Sequence, residues 1–130
     1  MADKLSDAAR AMIDAPNFAT MATVQPDGRP QLSVVWLKTD GDDLVVSTVK
    51  GRRKHKNILA DPRVTVLVYP KEDPYRYVEV RGTATLEDEG GAELIQELSH
   101  RYDGVPHEEG DPANVRVLVR ITPDRIVSHS

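Results

Sequence analysis

The sequence predicts a mainly β protein, a six-stranded antiparallel barrel with short helices inserted between the strands. Three observations point there. Six segments carry strand patterning, and the turns between them are dense in proline, glycine and aspartate. The helical segments do not alternate regularly with the strands, as a doubly wound sheet would require. At 130 residues, 39% apolar and 29% charged, the chain has the composition of an ordinary folded domain and the length for one core. Residues 1–130 are read as that single domain.

Local signals place each element. Ser6 stands where it can cap a short helix carrying Ala9, Met12 and Ile13, which Pro16 ends. Phe18 to Val24 reads as the first strand, and Gln25-Pro26-Asp27-Gly28 as the reverse turn of a hairpin. The second strand covers Pro30 to Lys38. Thr39-Asp40-Gly41-Asp42 turns the chain into a third, Leu44 to Val49, and these three strands are expected to form an antiparallel meander. Gly51 to Ala60 is helical in composition and closes at Asp61-Pro62. Arg63 to Tyr69 sets Val64, Val66 and Val68 on one face. After the proline-rich stretch Pro70 to Pro74, a long strand runs from Tyr75 to Leu86. Its core face is Val78, Val80, Ala84 and Leu86, with Tyr75, Tyr77, Glu79, Arg81 and Thr83 opposite. Gly90 to Tyr102 is an amphipathic helix striped by Leu94, Leu98 and Tyr102, with Glu97 one turn before Arg101. A polar loop, Asp103 to Pro112, leads to the last strand, Val115 to Ile121, which Arg125 to Val127 extends after Pro123.

Composition excludes several classes of function. The net charge of −4 repels polyanions, and the basic residues form one short run without interleaved aromatics, so nucleic-acid binding is not expected. Cysteine is absent, which removes disulfides and thiolate metal sites. Met1 to Ala15 has no signal-peptide pattern, so a cytoplasmic protein is expected. No apolar run approaches the ~20 residues of a membrane helix, and no membrane partner is expected. His55, His100, His107 and His129 lack ligand-like spacing and read as surface histidines, so no metal is expected. Ser33 and Ser47 sit in no nucleophile elbow, and Glu108, Glu109 and Asp111 read as a solvated loop.

Two strands carry more apolar or aromatic surface than one core needs. In Leu32-Ser33-Val34-Val35-Trp36-Leu37, period two puts Leu32, Val34 and Trp36 on one face and Val35 and Leu37 on the other. The outer face must be covered by a partner subunit, a planar ligand or both, or by a helix of the same chain. The mixed face Tyr75, Tyr77, Glu79, Arg81, Thr83 suits a wet interface, a ligand-facing wall or plain solvent.

The most informative stretch is Ser47-Thr48-Val49-Lys50-Gly51-Arg52-Arg53-Lys54-His55-Lys56-Asn57. It follows a strand and opens a helix. Unpaired N–H groups and a partial positive charge at a helix start make cations there unfavourable unless an anion compensates them. The cluster is therefore odd as structure and sensible as a phosphate site, though a solvated basic face is the plainer reading. A helical wheel groups Lys50, Arg53, Lys54 and Asn57, with Ile58 and Leu59 elsewhere. The G-x-x-x-x-G-K spacing of a P-loop is missing.

These residues resemble a known family. Ser47-Thr48, then Gly51-Arg52-Arg53-Lys54, Asn57-Ile58 and Asp61-Pro62-Arg63-Val64 are similar to the split-barrel flavin-binding superfamily of pyridoxamine 5′-phosphate oxidase. Pro26-Asp27-Gly28-Arg29-Pro30 and Val80-Arg81-Gly82-Thr83-Ala84 fit the same pattern, and the likeness runs from about Ala11 to Ile121. The short length and the Trp36 strand look most like the branch using the deazaflavin coenzyme F420. The resemblance implies a split β-barrel of the FMN-binding type, working as a homodimer with the cofactor at the subunit interface. It implies phosphate contacts at Ser47, Thr48, Arg52, Arg53 and Lys54, with Lys56 and Asn57 adjacent, and a ring lined by Ser33, Val34, Val35 and Trp36. Tyr77 would come from the other subunit. The implied reaction is hydride transfer between reduced F420 and a small organic acceptor, with no side chain required as nucleophile. FMN in place of F420, or a non-catalytic flavin, deazaflavin or haem binder, are the alternatives. The chain ends at Ser130 without the Trp- and Arg-bearing segment that recognises pyridoxamine phosphate in the true oxidase, so vitamin B6 oxidation is not expected.

Overall fold

The computed structural model describes residues 3–129. Ser6 Oγ accepts the Ala9 amide at 3.1 Å, which starts helix α1 at Asp7; it ends at Asp14, ahead of Pro16. Strands β1 (Ala19–Val24) and β2 (Pro30–Val35) form the expected hairpin. Its turn is closed by the Gly28 amide donating to the Gln25 carbonyl and the Gln25 amide donating to that of Arg29, both at 2.8 Å. Then follow β3 (Lys38–Asp40), β4 (Asp43–Val49), α2 (Arg53–Ala60), β5 (Arg63–Val68), β6 (Tyr77–Glu87), α3 (Gly91–Tyr102) and β7 (Arg116–His129).

The class is as expected, mainly β and antiparallel, but the described residues form seven strands rather than six, in the order β2-β1-β5-β6-β7-β4-β3. The segment read as one strand from Pro30 to Lys38 is two, because Trp36 and Leu37 leave the ladder. Here the Leu37 amide donates not to a strand but to Tyr102 Oη at 3.3 Å, and that hydroxyl donates to the Asn17 carbonyl at 2.6 Å. The expected three-strand meander therefore does not form. Trp36 and Leu37 carry the chain from one edge of the sheet to the other, so β4 pairs with β7 and β1 with β5. The edge strands β2 and β3 do not bond to one another, which leaves the barrel open. At the far end, Pro123 sits inside β7 opposite Gly82, where a bulge between Arg81 and Gly82 absorbs the missing N–H.

The main core lies within the curled sheet and under α1, with Ile13, Met21, Leu37, Leu44, Val66 and Ile121 fully buried. A second, smaller cluster lies outside it. There Leu94 and Leu98 of α3 cover Val45 and Leu118, with Trp36 and Tyr102 packed alongside. A helix of the same chain thus covers Trp36, but not Leu32 and Val34, which remain 62% and 68% exposed. Among the described residues no helix is long and apolar enough to cross a membrane.

Candidate anion-binding site beside the second helix

The connection from β4 to α2 is a tight turn. Gly51 takes φ of +91°, a conformation that disfavours other residues, and the Lys50 amide donates to the Val115 carbonyl at 2.8 Å. His55 is buried rather than on the surface, and its Nδ1 accepts the Gly51 amide at 3.1 Å. This bond holds the turn against α2. The helix then begins without a side-chain cap and without an acid in its first turn. Its free N–H groups and its cations share one end, which favours an anion there.

A cavity of about 190 Å³ opens beside this end. One side is apolar, made of Val34, Val35 and Trp36 with Ile95 and Leu98 of α3. Trp36 stacks on Tyr102 at 5.3 Å between ring centroids, which fixes that wall. Burial raises the pKa of the Tyr102 hydroxyl, keeping it a neutral donor to the backbone. The other side is polar and basic, made of Ser47, Thr48, Arg52, Lys54 and Arg116. Burial, and then the charges of Arg52 and Arg116, push the Lys54 ammonium below its ordinary pKa. Among the described residues neither Arg52 nor Lys54 forms an ion pair. Only Arg116 does, with Glu109. Three cations and one carboxylate are gathered here, an arrangement suited to a bound anion.

Seven of the predicted residues meet at this cavity: Val34, Val35, Trp36, Ser47, Thr48, Arg52 and Lys54. Ser47 Oγ donates to the Gly91 carbonyl at 2.8 Å and so also anchors α3. Thr48 is 2% exposed, its side chain on the interior side of β4. Ser33 is not among the cavity walls. It faces inward between Gln31 and Val35, and its buried Oγ has no hydrogen-bond partner among the described residues.

The grouping of Lys50, Arg53, Lys54 and Asn57 on one side of the helix does not hold. Lys50 precedes the helix and is exposed. Arg53, Lys56 and Asn57 line a different cleft of about 330 Å³, against the hairpin residues Gln25 and Pro26. A step of 100° per residue separates Lys54 from Arg53, enough to divide the helix between two clefts. Asn57 is buried, and its Nδ2 donates to Thr23 Oγ1 at 3.0 Å and to Gln25 Oε1 at 3.4 Å, a staple from α2 to the hairpin. Tyr77 lies on the outward face of β6, stacked on His129, away from the cavity of its own chain.

Arg116, Ile95 and Leu98 were not foreseen. Arg116 lies far along the chain from Lys54, and only the pairing of Val49 with Arg116 brings it to the turn. The helical stripe already marked Leu98, but nothing local said which strands α3 covers. Glu109, read as solvated, proves to be the partner of Arg116.

A larger groove, about 460 Å³, crosses the outward side of β1, β5 and β6. Its cations are already paired, Arg63 with Asp61 at 2.7 Å and Arg81 with Glu79 at 3.0 Å. The smaller cavity, where charge is unspent, is the better ligand site.

Comparison with known proteins agrees with the fold. Residues 5–130 match the family model described as Pyridoxamine 5′-phosphate oxidase. A pyridoxine/pyridoxamine 5′-phosphate oxidase of Rubrobacter xylanophilus is 44% identical over 89 residues, 66% of this chain but only 41% of the relative's length. Among solved structures, an F420 reductase superposes with a TM-score of 0.82 at 30% identity, over 95% of this chain and 98% of that one. The conserved hypothetical protein Rv2991 of Mycobacterium tuberculosis superposes with a TM-score of 0.76 at 27% identity, over 100% and 88%. With a family model matched along almost its whole length, the chain belongs to the pyridoxamine 5′-phosphate oxidase family.

Proposed function

We propose that the chain is the subunit of a homodimeric, cytoplasmic, F420-dependent oxidoreductase that passes hydride between the deazaflavin and a small organic acceptor. The observation that carries this reading is one cavity joining uncompensated cations, Arg52 and Lys54, to the apolar wall of Val34, Val35 and Trp36. That donor set fits a ring compound bearing an anionic tail. Similarity to an F420 reductase over 95% of the chain supports the deazaflavin.

When bound, the deazaflavin supplies the hydride, and no protein nucleophile is required. The chain's residues bind and orient. Arg52 and Lys54 hold the anionic group by charge-assisted hydrogen bonds, and the first-turn amides of α2 add to them. Trp36, held by its stack on Tyr102, fixes the height of the ring wall, while Ile95 and Leu98 keep water from the inner side. At about 190 Å³ the cavity is smaller than the ~300 Å³ of the smallest usual ligand sites. In this reading a second subunit completes it. Leu32 and Val34, exposed beside the cavity, are the apolar face for that subunit, and Tyr77 is the residue it contributes.

A second reading has FMN as the resident ring, favoured by the charge count. Arg52, Lys54 and Arg116 less Glu109 leave two positive charges, matched to the two negative charges of a phosphate monoester.

Titration with F420 and with FMN, followed by the fluorescence of the single tryptophan, separates the readings. Tight quenching by F420 with FMN weak supports the deazaflavin, the reverse supports FMN, and silence from both removes the site. Lys54→Ala is expected to weaken the preferred ligand by roughly tenfold or more, with the circular dichroism unchanged.

A further inference from the structure

The loop between α3 and β7, residues 103–115, brings an acid to the cavity's third cation. Gln96 Nε2 donates to the His107 carbonyl at 2.9 Å, and the His107 amide donates back to Gln96 Oε1 at 3.0 Å. Ser99 Oγ donates to the Val105 carbonyl at 2.7 Å. These bonds pin the loop to the helix that walls the cavity and set Glu109 against Arg116. Arg116 Nε donates to Glu109 Oε1 at 2.6 Å, and Nη2 donates to Oε2 at 3.3 Å. Asn114 Nδ2 donates to the same Oε2 at 2.9 Å, and His107 Nε2 lies 3.1 Å from Arg116 Nη2.

One edge of the guanidinium is thereby taken, and Nη1 has no hydrogen-bond partner among the described residues. The Arg116 side chain is 10% exposed and lines the cavity with Arg52 and Lys54. A phosphate group reaching Nη1 would share the guanidinium with a carboxylate on its other edge, and the two anions repel.

We propose that Glu109 is a built-in counter-ion that sets the anion affinity of this cavity through Arg116. It neutralises one of three crowded cations while the site is empty, and it leaves the bound anion held loosely enough to exchange. The proposal rests on the reading above, that the cavity takes a phosphate-bearing ligand.

The test compares FMN with riboflavin, which share a ring and differ by the phosphate. Inorganic phosphate is titrated in parallel by thermal shift at constant ionic strength, so that the outcome does not depend on which ring the protein prefers. Glu109→Gln is expected to bind FMN and inorganic phosphate roughly three- to tenfold more tightly, with riboflavin unchanged. In an Arg116→Gln background the same substitution is expected to change either affinity by less than about twofold, because the effect runs through Arg116. Glu109→Asp, which keeps the charge, is expected to stay within about twofold of the unaltered protein. A gain in Glu109→Asp equal to that in Glu109→Gln would assign the effect to loop opening and overturn the proposal. Unchanged or weaker phosphate binding by Glu109→Gln, while Lys54→Ala still weakens it, would also overturn the proposal and leave the site reading standing. No phosphate-dependent response in the unaltered protein, or none lost in Lys54→Ala, would overturn both.

Discussion

Glu109 illustrates how much one side chain owes to its neighbours. Hydrogen bonds from Arg116, and then from Asn114, pull its carboxyl from an ordinary 4.5 down to about 2. A carboxylate with a depressed folded-state pKa stabilises the fold above its unfolded value, and that contribution is lost as pH falls through the folded one. The melting-temperature difference between the unaltered protein and Glu109→Gln is therefore expected to be constant at neutral pH. It should shrink as pH drops from 4.5 towards about 2. A difference that stays level through this range would mean the pair contributes nothing. Asp61 responds in the same direction, through its bonds from Arg63, but it is common to both proteins and cancels. In the sequence, Glu109 sat in a run of acids and polar residues with no local sign of a partner. Its partner is Arg116, and the His107, Asn114 and Gln96 contacts that aim it are made only once the loop has folded back on α3.

Among the elements, α3 depends on a close approach. A Cβ on Gly91 would stand 2.6 Å from the backbone of Val117, so the helix can lie against β7 only with glycine at this point. Gly91→Ala is expected to push the first turn outward and cost about 1–3 kcal/mol, read as a lower denaturant midpoint. Ile95 and Leu98 would move with it, so ligand affinity should fall as well. A variant with unchanged stability would show that the helix is not seated this tightly. The helix and its stripe were legible from the spacing of Leu94, Leu98 and Tyr102. Which strands it covers was not, because periodicity reports that a face is buried and not what buries it. The second helix shows the same limit. Its cations were plain in the sequence, but their division between two clefts follows from the burial of Asn57 under the hairpin.

For the whole molecule, the outward apolar face of β2 is the feature a single chain leaves unresolved. Leu32 pairs with Ala22 in the ladder yet remains 62% exposed, and no element among the described residues covers it. A homodimer formed through this face would bury it and complete a cavity too small for a ring cofactor. Leu32→Asp is expected to shift the protein towards monomer in light scattering and to weaken cofactor binding, although Leu32 is not in the cavity wall. A variant that stays dimeric with full affinity would place the interface elsewhere. The apolar excess was visible in the sequence as a strand with two hydrophobic faces. Its share covered by α3 was decided by the fold.

The antiparallel mainly β class, most element boundaries and the basic turn are legible in the residues alone, because strand alternation, turn residues and caps act over a few positions. The tertiary structure decided the strand order, the break at Trp36 and Leu37, and the cation that Arg116 adds to Arg52 and Lys54. These depend on which distant segments pair. Such pairing is set by burying the whole core at once, and no local spacing encodes it.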